Sequence, residues 1–223
     1  DFSQSKQLES SALGSLYTAE YRTCWNKQVE YIVAQALQSG LPVVDLASGH
    51  GYLLERMAER GLQILVATDS SPSVLIRNRK RFQLYYPHIL FSFLALDVRQ
   101  TPFRDHSIEL LTTNLGLPNI QKPASLLAEL RRICSGTFLA VHHFYPPEDE
   151  VHSKAFANSE NRFYQYKESL LAAFEQNNWR VEFMNSCHAI ALPTPKAVLL
   201  EGASIDTFPL QPVELEWVTI RAV

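Results

Sequence analysis

The chain has 223 residues, 46% hydrophobic and 19% charged, enough apolar material for one sizeable buried core. A net charge of −3 argues against an electrostatic grip on nucleic acid or acidic lipid. Three scattered cysteines, Cys24, Cys134 and Cys187, show no metal-ligand spacing and indicate reduced thiols in a cytoplasmic protein, and no apolar run of about 18 residues exists to span a membrane.

Residues 16–38 read as a helix with Tyr17, Tyr21 and Trp25 on one face, a stripe that at this spacing is more often core than cofactor contact. A short apolar run, Val43 to Leu46, carries the acid Asp45 and opens into a glycine-containing turn. An amphipathic helix follows from Gly51 to Arg60. Strand, tight turn and helix N-terminus make a ligand-binding corner, because the loop backbone lets a ligand approach and the helix amides face it. An acid at the end of a buried strand is costly without a partner, so Asp45 points to a ligand or a polar network, with a simple turn cap as the alternative. The next strand, Ile64 to Thr68, ends at Asp69, about 20 residues past the loop, where a ribose-binding acid is expected in such folds. Asp69 could equally help Ser71 cap the helix 72–86, and the two roles can coexist. Arg77, Arg79, Lys80 and Arg81 on that helix read as a solvated face.

Further strand-like runs are Ile89 to Leu96, Ile108 to Thr113, Thr137 to Phe144, Trp179 to Leu192 and Val213 to Val223. Helices are expected over Pro123 to Cys134 and about 161–177. A polar connection begins at Tyr145-Pro-Pro, and 193–212 reads as a loop. This alternation is that of a doubly wound α/β sheet.

Asp45-Leu-Ala47-Ser-Gly49-His-Gly51 resembles motif I of class I S-adenosylmethionine (SAM) dependent methyltransferases, acidic-x-Gly-x-Gly-x-Gly. Ala47 departs from the first glycine. Its methyl group is tolerable if φ is negative there, but it narrows the gap where the methionyl part of SAM would lie. Asp97-Val-Arg-Gln-Thr-Pro102-Phe103-Arg-Asp105-His-Ser107-Ile-Glu109 resembles the signature of the type 11 group, which includes the ubiquinone/menaquinone methyltransferases. Glu129 and Arg132 resemble its Glu-x-x-Arg helix, and Ser135-Gly136 reads as a shortened loop after that helix.

The resemblance implies a Rossmann-like sheet of seven mostly parallel strands with the last antiparallel. It assigns the cofactor, SAM (product S-adenosylhomocysteine, SAH), to Asp45, Ala47, Ser48, Gly49, Gly51, Asp69, Ser70, Asp97, Val98, Asn114 and Leu115. Asp69 would take the ribose hydroxyls, Asp97 the adenine amino group, and the Val98 amide a ring nitrogen. It divides the single domain 1–223 into an N-terminal helical cap or lid (1–38), a SAM-binding core (39–144) and a substrate-side connection, helix and closing strand pair (145–223).

The acceptor is less legible. Asn114-Leu-Gly-Leu is not the box of a base-methylating enzyme, which favours a small-molecule acceptor over nucleic acid. Candidate general bases are His142, His143 and Tyr145 at the end of the fifth strand. Strand alternation sends the two histidines to opposite faces, so at most one points at a substrate. The alternative to an active enzyme is a methyltransferase-like subunit or regulatory domain.

Overall fold

The computed structural model describes residues 18–157, 162–193 and 208–223. Tyr17 and most of the expected 193–212 loop lie outside the described residues. Thr18 begins the first helix by accepting the Tyr21 N–H on Oγ1 at 3.0 Å, the N-cap role short hydroxyl side chains favour. The elements that follow are α1 (Ala19–Ser39), β1 (Val43–Asp45), α2 (Tyr52–Glu59), β2 (Ile64–Asp69), α3 (Pro72–Tyr85), β3 (Leu90–Ala95) and β4 (Ile108–Asn114). A 3₁₀ turn, Leu117–Asn119, leads to α4 (Pro123–Ile133), β5 (Cys134–Phe144), α5 (Glu150–Phe156), α6 (Arg162–Gln165), α7 (Lys167–Gln176), β6 (Val181–Ala191) and β7 (Val213–Ala222).

The strands form one seven-stranded sheet in the order β3-β2-β1-β4-β5-β7-β6. All pairings are parallel except those of β7, which runs antiparallel to both β5 and β6. This is the expected doubly wound sheet. Helices α1, α2 and α3 cover one face through residues such as Val29, Leu53, Met57 and Phe82. Helices α4, α6 and α7 cover the other through Leu126, Leu130, Tyr164 and Phe174. The chain from β3 to β4 contains no helix, which leaves Ile64, Leu90 and Leu94 exposed at that end of the sheet.

Helix α1 is a core helix rather than a loose cap. Cys24, Gln28, Val29, Ile32, Val33 and Ala36 are buried along it. Gln28 donates to the Asn185 carbonyl at 2.8 Å and accepts from Thr219 Oγ1 at 2.9 Å, so a fully buried amide ties α1 to β6 and β7. The lid expected over 1–38 therefore does not extend across α1.

Three further expectations are corrected. Ser135-Gly136 is not a loop: α4 passes directly into β5 at Cys134, beside a register shift in β4 between Ile108 and Leu110. A Cβ on Gly136 would lie 2.2 Å from the Glu109 carbonyl oxygen, so only glycine allows this approach. The helix expected over 161–177 is broken at Tyr166, whose backbone is extended, and the Gln165 carbonyl leaves the helix to accept the Tyr145 N–H at 3.0 Å. Within the 145–160 connection lies the unforeseen α5, capped by Asp149, which accepts the Val151 and His152 amides at 3.0 and 3.2 Å.

Candidate active site

Parallel strands deliver their C-terminal ends to one edge of the sheet, and the loops leaving β1, β2, β3 and β4 meet there. A cavity of about 680 Å³ opens among them, lined by Ala47, Ser70, Asp97, Val98 and Asn119 with Arg99 and Ile120. Four of the residues assigned to the cofactor, one from each of the first three loops and a second from the loop after β3, share its wall.

Asp69 performs two visible tasks. Its Oδ2 accepts the Gly49 N–H at 2.9 Å and its Oδ1 accepts the Ser71 N–H at 2.9 Å. It thus clips the glycine turn to the start of α3, while Ser71 itself makes no side-chain cap bond. Each carboxylate oxygen keeps a lone pair for a ribose hydroxyl.

Asp97 stands half exposed on the cavity wall. Arg99 grips both its oxygens, at 2.7 Å through Nη2 and 2.9 Å through Nε, and gives its backbone N–H at 2.9 Å. These bonds, above all the guanidinium's, hold the Asp97 carboxyl down at about 2. Among the described residues nothing accepts the Val98 N–H. An acceptor nitrogen such as one in a purine ring fits that donor.

The loop carrying Asp97 is held from behind. Glu129 accepts the Thr101 N–H and hydroxyl, each at 2.7 Å, and Arg132 bonds Glu129 and Asp105 at 2.6 Å each. The Glu-x-x-Arg pair is thus a bracket for the Pro102-Phe103 turn, and Arg132, then Thr101, hold Glu129 down at about 2.

Asp45 does not line the cavity. It is 1% exposed, and its carboxyl accepts Thr112 Oγ1 at 2.7 Å across the β1–β4 pair. Its backbone carbonyl accepts the hydroxyls of Ser48 and Thr68, each at 2.9 Å. Burial pushes the carboxyl up from 3.8 to about 7, against the hydroxyl bonds and with a push from Asp69. Asp45 is therefore the anchor of the turn, with Ser48 beside it.

Ala47 overturns the condition under which its methyl was tolerable. Its φ is +49°, the left-handed conformation that glycine adopts freely, so the glycine geometry persists without the glycine. Gly116, after β4, comes close on the other side: a Cβ there would lie 2.2 Å from Thr113 Oγ1 and 3.0 Å from the Ala47 Cβ. Leu115, just before Gly116, has φ +57° and gives its N–H to the Val141 carbonyl at 3.2 Å. Ala47→Gly is expected to raise stability by up to about 1 kcal/mol, as relief of the strain outweighs the freedom gained by the unfolded chain. Chemical denaturation of both proteins measures this, and a less stable variant would show that Ala47 is unstrained.

The candidate bases do not gather at an open cleft. His142 is fully buried; its Nε2 donates to the Tyr164 carbonyl at 2.7 Å, and burial lowers its pKa to about 4. His143 faces the α1 side, its ring 5.0 Å from that of Trp217, and burial lowers it to about 3. Tyr145 is buried, which pushes its hydroxyl upward. Sequence reasoning missed Thr112, which holds Asp45, and Trp25, whose indole Nε1 donates to Asn114 Oδ1 at 3.0 Å. The aromatic spacing of α1 signalled a buried face but not that bond.

Residues 44–141 match the family model described as a methyltransferase domain, which spans the glycine turn, Asp69, Asp97 and the β4 tip. That stretch, a little under half of the chain, is similar to a methyltransferase domain. Proteins similar to the chain include the demethylmenaquinone methyltransferase of Renibacterium salmoninarum, 33% identical over 109 residues, 48% of this chain and 43% of that protein. The ubiquinone/menaquinone biosynthesis C-methyltransferase UbiE of Pseudoalteromonas translucida is 30% identical over 137 residues, 59% and 53%. The chain spans about half the length of these curated relatives. In fold, the chain is like a SAM dependent methyltransferase from Aquifex aeolicus, at TM-score 0.56 and 13% identity over 100% of this chain and 99% of that one. Among the described residues no helix is long and apolar enough to cross a membrane.

Proposed function

We propose that this domain binds SAM in the cavity at the β1–β4 loops and transfers a methyl group to a small molecule. The single observation that carries the reading is that cavity, with the unpartnered Val98 N–H and the Asp97 carboxylate on its wall and the Asp69 carboxylate beside it. Asp97 and Val98 would hold the adenine, Asp69 and Ser70 the ribose, and Ala47, Gly49 and Asn114 with Leu115 the methionyl part. When bound, SAM supplies a methyl group made electrophilic by its sulfonium. The chain's own contribution is alignment and exclusion of water, with residues 39–144 as the cofactor half and 145–223 as the acceptor half.

Tyr21 packs edge-on against the fully buried Trp217 with centroids 4.8 Å apart, and His143 and the buried Tyr145 continue that aromatic cluster on the α1 side of the sheet. A demethylmenaquinol-type naphthoquinol is the first acceptor to try, given the names of the relatives. The family match ends at residue 141, so the acceptor half must be tested on its own residues. Burial puts His142 out of reach of a substrate, which favours an acceptor that carries its own nucleophilic electrons.

SAM and SAH should bind with Kd on the order of micromolar, about −8 kcal/mol. Calorimetric titration of folded protein checks this, and absence of heat with both ligands would sink the reading. Labelled methyl groups from SAM should enter the small-molecule fraction of a cell extract; labelling of tRNA, rRNA or protein alone would overturn the acceptor class. A second reading, a SAM-binding subunit without activity, is favoured by the strained Ala47 and predicts SAH binding with no labelled fraction at all.

A further inference from the structure

An indole N–H can only donate, so the bond from Trp25 Nε1 to Asn114 Oδ1, 3.0 Å, fixes which way the Asn114 amide faces. Its oxygen looks toward α1, and its NH₂ group looks away. Asn114 is part-buried at the tip of β4, and among the described residues no acceptor takes that NH₂ group. The indole is itself braced. It stacks on Tyr52 with centroids 4.7 Å apart and planes at 26°, and the Tyr52 hydroxyl donates to Asn26 Oδ1 at 3.1 Å. Tyr52 is the first residue of α2, next to the glycine turn. One point therefore joins α1, the glycine turn and the β4 tip, and its outward product is a hydrogen-bond donor of fixed direction.

We infer that Trp25 is a positioning residue that aims the Asn114 amide at an oxygen of the bound ligand. This rests on the proposed SAM reading. The oxygen can come from the carboxylate of SAM or from the methyl acceptor. A carboxylate oxygen in place of the amide would meet either source with repulsion, so polarity rather than size is what Asn114 contributes.

Two variants separate direction from bulk. Trp25→Phe keeps a ring to stack on Tyr52 and removes the N–H; Asn114→Asp keeps an acceptor for the indole and removes the donor. Their affinities for SAH and for 5′-methylthioadenosine, which lacks the amino-acid carboxylate, would be measured by calorimetry, with thermal melting as a check on folding. If the oxygen is SAM's, SAH weakens about 10-fold in Trp25→Phe and further in Asn114→Asp, while methylthioadenosine stays within about twofold. If the oxygen is the acceptor's, both nucleosides bind as before and labelling of the small-molecule extract fraction at saturating SAM slows about 10-fold. Equal weakening of both nucleosides would reduce Trp25 to a structural prop and overturn the inference. So would unchanged SAH affinity with unchanged labelling, or with none in the parent protein. Failure of the parent protein to bind SAH would instead sink the function it rests on.

Discussion

Asp69→Ala is expected to lower SAM affinity by about 10- to 100-fold, the worth of hydrogen bonds from neutral donors to a charged acceptor. It should also lower the stability of the ligand-free protein by about 1–3 kcal/mol, because the same carboxylate holds the Gly49 and Ser71 amides, each at 2.9 Å. The two effects have separate readouts: calorimetric titration with SAH for the first and chemical denaturation without ligand for the second. A variant that unfolds earlier yet binds SAH at parental strength would assign Asp69 to the clip alone. The pairing of losses follows from economy of placement, since the group that shapes the turn borders the place where the ribose would lie.

Asp45→Asn is expected to remove a pH-dependent loss of stability. The folded carboxyl titrates at about 7 against 3.8 for an unperturbed one, so the folded chain holds this proton more tightly than the unfolded chain. Below about pH 4 both states are protonated and the penalty is absent. Between pH 4 and 7 stability falls as pH rises, and above 7 the full penalty stands, on the order of 2–4 kcal/mol. His142 and His143 act in the opposite sense. Their pKa values are depressed to about 4 and about 3, so their contribution is present above 6.5 and is lost as pH falls. The informative quantity is therefore the difference between parent and variant. Asn can still accept the Thr112 hydroxyl, so at pH 8 Asp45→Asn should be the more stable protein, and near pH 4 the two should converge. A difference that does not change with pH would mean that Asp45 is ionised in the fold at little cost.

Much of the architecture was legible because periodicity and punctuation survive in one dimension. The run from Val43 to Phe144 carries strand–turn–helix signals in order, and its acids fall where strands end. The resemblance added the antiparallel seventh strand, which alternation alone does not give. Register is a three-dimensional fact. No spacing announces that Thr112 lies beside Asp45, although the pairing of β1 with β4 makes it so. The φ of Ala47 is not legible in the sequence, because a methyl group usually avoids the left-handed region and here the bonds of its neighbours dictate the turn. Ser135-Gly136 reads as a loop because glycine so often marks a bend, whereas here it permits a close approach to Glu109. The break at Tyr166 has no signal in composition: it follows from the Tyr145 amide taking a carbonyl from across the chain.

The place of β7 has a consequence for the order in which the molecule can be completed. It is the last strand in the chain, yet it sits between β5 and β6. As the chain emerges from the ribosome, β6 comes out with no neighbour to pair with, because the strand that joins it to β5 follows it in sequence. Until Val213–Ala222 arrives, β5 and β6 each present an open ladder edge, the state in which strands of different molecules can pair wrongly. Gln28 on α1 waits as well, since one of its partners, Thr219, belongs to that strand. The half of the protein proposed to hold the cofactor can thus form during synthesis, while the half proposed to hold the acceptor closes in a single late insertion.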